Sequence, residues 1–322
     1  MSIKRFVGLV FSVLVLANVC LTQEAEAQDT AVAPRYKFNE GDELIYQTVV
    51  KFHQKQNLST GMKLENKSDQ TDITIRRFKE TDKDGNFQLQ TENKSIVVKS
   101  SFGPAGDYSY NSRTGEKDSG TALSPTLNDL YSTMTGAVLG VKINPQGKIL
   151  KATGYKELMA DVLKDNPLAA QFAGGGSDDA YKMGLSEQFV TFGDKPVKVG
   201  DTWERKFEFD LPQLGKAVGK TTYTYEGNET VKGRKLMKMT LSKELSFDAD
   251  IKIGEATVSG NFSSEKSSGT AYFDVEKGQL VSLSSKFVLK GQLQVNVNGQ
   301  NIQIDMDQTQ SYKTELLEKL PE

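Results

Sequence analysis

The sequence predicts a mainly β protein with a few helices, built as two related curved antiparallel sheets or one large open half-barrel, with the helices of residues 124–188 packed across one side. Three observations predict it. Apolar residues alternate with polar ones at period two through most of the 322-residue chain, which marks half-buried strands. Short polar turns rich in Gly, Asn and Asp separate these runs, which joins consecutive strands as antiparallel meanders and leaves no room for βαβ crossovers. Helical periodicity is confined to the middle of the chain.

The first residues stand apart from this pattern. Lys4 and Arg5 precede an almost wholly apolar run from Phe6 to Leu21, and Ala25-Glu26-Ala27 supplies the small-x-small pattern that a signal peptidase cuts. This is the layout of a secretory signal, so residues 1–27 are excluded from the fold and the chain after Ala27 is expected in the periplasm or at the cell surface. Cys20 follows Val19, a poor residue before a lipidated cysteine, so no lipid anchor is expected. Cleavage after Ala27 leaves no cysteine and no thiol chemistry. No later stretch is long and apolar enough to cross a membrane as a helix.

The strands follow in order. Leu44, Tyr46, Thr48, Val50 and Phe52 share one face of the first; Ile73 with Ile75, and Phe87 with Leu89, mark the next two. Residues 101–123, rich in Gly, Ser and Asp, read as a long loop. Ser124-Pro125 reads as an N-cap with proline at the first helical position. Residues 155–164 place Leu158, Met159, Val162 and Leu163 on one helical face, ended by Asn166-Pro167; Gly174-Gly-Gly176 then precedes a third short helix near 178–188. Strand patterns resume with Trp203, Arg205, Phe207 and Phe209, then Tyr223 and Tyr225, Met237 to Leu245, Phe247 to Ile253, Val281 to Leu289, Val295 with Val297, and Ile302 with Ile304.

A repeat runs through these elements. Gly41-Asp42-Glu-Leu44-Ile-Tyr46 matches Gly200-Asp201-Thr-Trp203-Glu-Arg205, and each half later carries a glycine hairpin, at Asn144-Pro-Gln-Gly147 and at Glu276-Lys-Gly278. Two matched markers in one order suggest two related lobes, 28–190 with the central helices and 191–322. The Gly-Asp-x-x-x-Tyr opening, the Ile143-Asn-Pro-x-Gly-Lys hairpin, Pro196-Val-Lys-Val-Gly-Asp-Thr-Trp203 and Phe273-Asp-Val-x-x-Gly together resemble an uncharacterised family of exported bacterial proteins, the DUF6263 family. That resemblance implies export and a β-rich fold and assigns no activity. More distantly, the layout is similar to the open half-barrels of periplasmic lipoprotein carriers, an analogy of fold that does not establish function.

The chain is poor in catalytic signals. Removing residues 1–27 takes away two basic and two acidic residues and leaves the net charge at −2, finely interspersed, which argues against a nucleic-acid partner. Arg76-Arg77 and Lys232-Gly-Arg234-Lys235 read as solvated strand edges. The single histidine, His53, at a polar strand end, cannot build a His-rich zinc site, and no Gly-x-Ser-x-Gly elbow accompanies it. Glu80 to Thr91 imitates a calcium loop but has Glu first and Thr at the twelfth position, so it reads as a hairpin turn. Asp248/Asp250 and Asp305/Asp307 read as the solvent face of edge strands. No catalytic, metal or cofactor residue is assigned. Tyr46, Trp203, Phe207, Tyr223 and Tyr225 are the residues expected to line an apolar cavity. The chain is read as a non-enzymatic exported binding module for an apolar or lipid ligand. Its alternatives are a structural or protein-interaction component of the envelope, with an envelope protein as partner, and a carboxylate-dependent hydrolase.

Overall fold

The structure is a computed structural model that describes residues 31–165, 176–211, 215–253, 256–297 and 300–321. The segment read as an export signal, the Asn166-Pro167 stop and the Asn298-Gly299 turn lie outside the described residues. The strands are β1 (Glu43–Leu58), β2 (Lys63–Thr81), β3 (Phe87–Ser101), β4 (Asp107–Asn111), β5 (Glu116–Lys117), β6 (Val138–Ile143), β7 (Ile149–Thr153), β8 (Thr202–Leu211), β9 (Gly215–Val231), β10 (Arg234–Ile253), β11 (Ala256–Asp274), β12 (Gln279–Val297) and β13 (Gln300–Leu317). Among the described residues three helices interrupt them: α1 (Ser124–Met134), α2 (Tyr155–Asp165) and α3 (Asp178–Ser186).

All thirteen strands belong to one antiparallel sheet, curved and open, in the order β5-β4-β3-β2-β1-β13-β12-β11-β10-β9-β8. Of the two arrangements the sequence allows, the single sheet is the one formed. β6 pairs the first half of β3 beside β4, and β7 pairs β6. Five strands of the first half therefore lie in the order β7-β6-β3-β2-β1, and five of the second in the order β12-β11-β10-β9-β8, with β13 between the two runs.

The matched sequence markers have matched geometry. Gly41 and Gly200 take φ of 84° and 89°, a left-handed conformation that a side chain disfavours. At each turn the following aspartate closes the loop on itself: Asp42 Oδ2 accepts from Asn39 N, and Asp201 Oδ2 accepts from Lys198 N, both at 2.8 Å. The hairpin glycines are pinned by one segment that precedes β1. Tyr36 N donates to Pro145 O at 2.8 Å and Lys37 N to Gly278 O at 3.1 Å. A Cβ on Gly147 would meet the Tyr36 ring at 2.3 Å, and one on Gly278 would meet Lys37 N at 2.5 Å. Both glycines are thus needed for close approach as well as for the turn.

Register fixes two faces. Tyr46, Thr48 and Val50 stand level with Thr74, Asp72 and Gln70 of β2 and with Leu316, Thr314 and Tyr312 of β13. The same side carries Leu283, Phe287 and Leu289 of β12, Ala271 and Phe262 of β11, Met239, Leu241 and Phe247 of β10, and Tyr225 and Tyr223 of β9. This inner face holds the main core, which Leu185, Phe189, Val190 and Phe192 cover from the segment that runs out of α3. Leu127 of α1 covers a second cluster on Ile96, Val98, Tyr108 and Tyr110. Burying such side chains contributes about 1.5–3 kcal/mol each. The opposite face is mostly Ser, Thr, Lys, Asp, Glu and Gln.

Several local expectations are corrected. Residues 101–123 are not one long loop: a short 3-10 turn at Gly103–Ala105 leads into β4 and β5, because Tyr108 and Tyr110 alternate and pair with Ser100 and Val98. Ser124 is the first residue of α1, one place past the cap at Leu123. His53 lies within β1, not at its end. The pairs Asp248/Asp250 and Asp305/Asp307 face solvent as expected, but on the interior strands β10 and β13.

Candidate functional site

Along the inner face, chemistry changes from one half of the sheet to the other. Under α3 and its following segment the first half buries a cation. Arg76, expected at a solvated edge, is only 2% exposed. It stands opposite Leu44 on the inward phase of β2, where alternation sets its direction whatever its charge. Its guanidinium lies 4.4 Å from the Tyr46 ring centroid and 4.3 Å from that of Phe189, and Nη2 donates to Gln188 Oε1 at 2.5 Å. Its Nε has no partner and no solvent. Cation–π contact with the two rings offsets part of the desolvation cost. Arg77, one residue on, points outward and pairs with Glu43 and Glu92. Burial pushes the Tyr46 phenol up to about 12 against the lowering effect of Arg76; its hydroxyl donates to Leu280 O at 3.0 Å.

A second cationic cluster marks the boundary with the other half. Arg205 Nη1 donates to Ser186 O at 2.7 Å, and Nη2 lies 3.2 Å from Glu187 Oε1. Lys243 Nζ lies 2.9 Å from Glu187 Oε2. Burial alone would push the Glu187 carboxyl up; the Lys243 and Arg205 charges outweigh it and hold the group below its ordinary value. Beside the cluster a void of about 30 Å³ is lined by Tyr223, Thr221, Leu241, Ser267, Leu283 and Phe287, among others. That is room for one small group.

Beyond this cluster the inner face becomes an apolar strip. Ala217, Phe247, Phe262, Phe287 and Leu289 are buried, and Leu245, Leu293 and Met306 pack against them half-exposed. These residues come from β9 to β13 only, whereas the helices pack on β4, β7 and one another. The strip is covered by its own side chains, and strand glycines make this possible. A Cβ on Gly291 would meet Phe262 at 2.3 Å, one on Gly219 would meet Phe207 at 2.5 Å, and one on Gly269 would meet Leu241 at 2.6 Å. Each glycine gives a large neighbour room to lie flat on the sheet, as in aromatic rescue.

The residues expected to line a cavity fall in different places. Tyr223 and Tyr225 lie in the main core, with Trp203 packed against it half-buried. Trp203 stacks on Tyr223 at 5.4 Å and donates its indole N–H to Thr191 O at 2.7 Å. Tyr46 is buried against Arg76. Phe207 stands at the head of the strip, 5.5 Å from Arg205 and 5.2 Å from Lys243. Only Tyr223 among the five borders the void. Arg76, Glu187 and Lys243 were missed. Lys243 had a legible signal, because it fills the inward position between Leu241 and Leu245; Glu187 had none.

Two larger hollows lie on the outer face, about 630 Å³ across β13 to β4 and about 690 Å³ across β10 to β1. They are open furrows between splayed polar side chains. Within the first, Lys51 pairs with Asp69, and His53 and Lys67 both pair with Glu65. Such hollows offer no desolvated floor, and the smaller inner site is the better candidate. The imitation calcium loop is the β2–β3 turn. There Asp82 accepts from Asp84 N and Asn86 N and pairs with Lys142, which holds its carboxyl far below the ordinary range. Among the described residues no group of three or more His, Cys, Asp or Glu is placed to hold a metal, and no helix is long and apolar enough to cross a membrane.

No curated protein matches the chain. Among solved structures, a lipovitellin structure titled for its lipid–protein interactions is similar at 10% identity over 87% of this chain, with a TM-score of 0.42; the chain spans 25% of that much longer one. A Bacteroides fragilis protein with a YmcC-like fold is similar at 8% identity over 88% of this chain and 97% of its own, TM-score 0.23. Pseudomonas aeruginosa OccK2, solved with glucuronate, is similar at 8% identity over 87% of this chain and 100% of its own, TM-score 0.24. These are distant likenesses, all below a TM-score of 0.5. The family model described as a family of unknown function, DUF6263, matches residues 84–316, which take in β3 to all but the last residue of β13, the Arg205–Lys243–Glu187 cluster and the whole apolar strip, while Arg76 and Tyr46 precede it: the chain belongs to the DUF6263 family.

Proposed function

We propose that this protein is a non-enzymatic, exported binding module that holds an apolar ligand, a lipid chain, along the inner face of β9 to β13. One observation carries the reading: the apolar strip continues past the region that the helices cover and ends in half-exposed Leu293 and Met306. An acyl chain laid there removes further apolar area from water at about 25 cal/mol per Å². The secretory layout of residues 1–27 supports placement outside the cytoplasm, where such a carrier meets envelope lipids.

Native mass spectrometry of protein purified from its own cell envelope tests this directly. The expected result is a bound lipid mass that disappears when Leu293→Asp and Met306→Asp are combined. Protein that carries no lipid, and that binds a hydrophobic dye no better than the double variant, overturns the reading.

A further inference from the structure

Resting on that reading, we propose that Arg205 and Lys243 form the headgroup site of a fatty acid, and that Glu187 occupies it as a stand-in carboxylate when no ligand is bound. Three features of the cluster point the same way. Two cations converge on one carboxylate at 3.2 Å and 2.9 Å, so a carboxylate is the group the site already accepts, with charge-assisted bonds. Both cations also lean on the aromatic rings that open the apolar strip: Arg205 and Lys243 on Phe207, and Lys243 on Phe287 at 5.6 Å. Head and tail positions are therefore continuous. The adjacent void of about 30 Å³ suits a group of carboxylate size.

The stand-in can also leave. Glu187 is the C-cap residue of α3 and keeps 36% of its side chain exposed, so a rotation about its own bonds carries the carboxylate into water. Arg205 stays in place without it, held by Ser186 O. The Arg205 Nε, which has neither partner nor solvent, is a spare donor in the same guanidinium. An incoming carboxylate replaces one anion by another and leaves the charge of the site unchanged, which avoids the cost of stripping two cations of their partner.

The test compares laurate, dodecanol and dodecyl phosphate, ligands with one tail and three heads. Binding is read by the fluorescence of Trp203, the single tryptophan, which stacks on the void-lining Tyr223. Laurate is expected to bind at least about tenfold more tightly than dodecanol. Arg205→Gln should bring laurate down to the dodecanol level and leave dodecanol unchanged. Glu187→Gln, which removes the internal competitor and both cations' partner, should tighten laurate severalfold and leave dodecanol unchanged. Equal binding of laurate and dodecanol by the wild type, with Glu187→Gln neutral, overturns the headgroup site while the apolar strip stands. Tighter binding of dodecyl phosphate than of laurate overturns the carboxylate assignment. If none of the three binds, the strip itself fails and the headgroup site with it.

Discussion

The two five-strand runs of this sheet share an order and a pair of turn markers, yet they finish their inner faces in opposite ways. The first run is roofed. Chain inserted after β3 and after β7 forms β4, β5 and the three helices described, and beneath that cover the sheet buries Arg76 and a set of tyrosines and largely desolvates Asp72. Among the described residues the second run has no helix of its own. The segment after α3 covers only the near part of its inner face; beyond the Glu187 cluster the run uses long strands, small residues and large rings that lie across glycines, so that this part of the sheet covers itself. A roof allows buried polar groups, because inserted segments bring partners such as Gln188. A sheet that covers itself has only its own inward side chains to offer, and these must be apolar.

The glycines break this comparison most sharply. A Cβ on Gly291 would lie 2.2 Å from the backbone oxygen of Asn261 as well as against Phe262, whereas one on Gly140 of β6 would meet chiefly the Thr153 hydroxyl, which can rotate away. Gly291→Ala is expected to cost about 3 kcal/mol, and Gly140→Ala less than about 1 kcal/mol. Equal costs in chemical denaturation would mean that the second run does not depend on flat-lying rings.

The position two residues after each Gly-Asp turn gives a smaller contrast. Trp203→Ala removes a half-buried ring stacked on Tyr223 and an indole hydrogen bond and should cost about 2–4 kcal/mol. Leu44→Ala, at the matching place in the first run, should cost about 1–2 kcal/mol. Thermal melts of the two variants decide the order; a larger loss at Leu44 would put the heavier anchor in the first run.

Asp72 tests the roofed half through pH. Burial raises its pKa from 3.8 to about 7, against a lowering by the Gln70 amide. Between those values the folded protein keeps a proton that the unfolded chain has released. Stability is then complete below the ordinary value and falls as pH rises to about 7. Asp72→Asn should abolish that fall and gain about 1–3 kcal/mol at pH 8; the residue keeps some contact with water, so the gain stays below the full shift. A wild-type stability that is flat from pH 4 to 8 would show that the roof does not desolvate this carboxyl.

The smallest effects concern the shared turns. Asp42→Ala and Asp201→Ala each delete one side-chain acceptor of a backbone N–H at 2.8 Å and should each cost about 1 kcal/mol. Losses that differ by more than twofold would weaken the parallel between the runs.

Period-two alternation by itself determined the strands, their antiparallel joining and most of the inward residues, because side-chain direction in a strand is a local property. The repeat markers were legible for the same reason, since Gly-Asp closes its own turn. Alternation also carried Arg205 to the inner face, and it carried Arg76 there too, although composition read that residue as solvated. What covers each residue belongs to the tertiary structure. Whether Arg76 meets water or Phe189 depends on a segment more than a hundred residues away, and whether Lys243 joins Arg205 on Glu187 depends on β10 folding back over two intervening strands. The merging of both runs into one sheet is also tertiary, because it rests on β13 pairing with β1 and β12 at once, a contact between the two ends of the chain that no local pattern encodes.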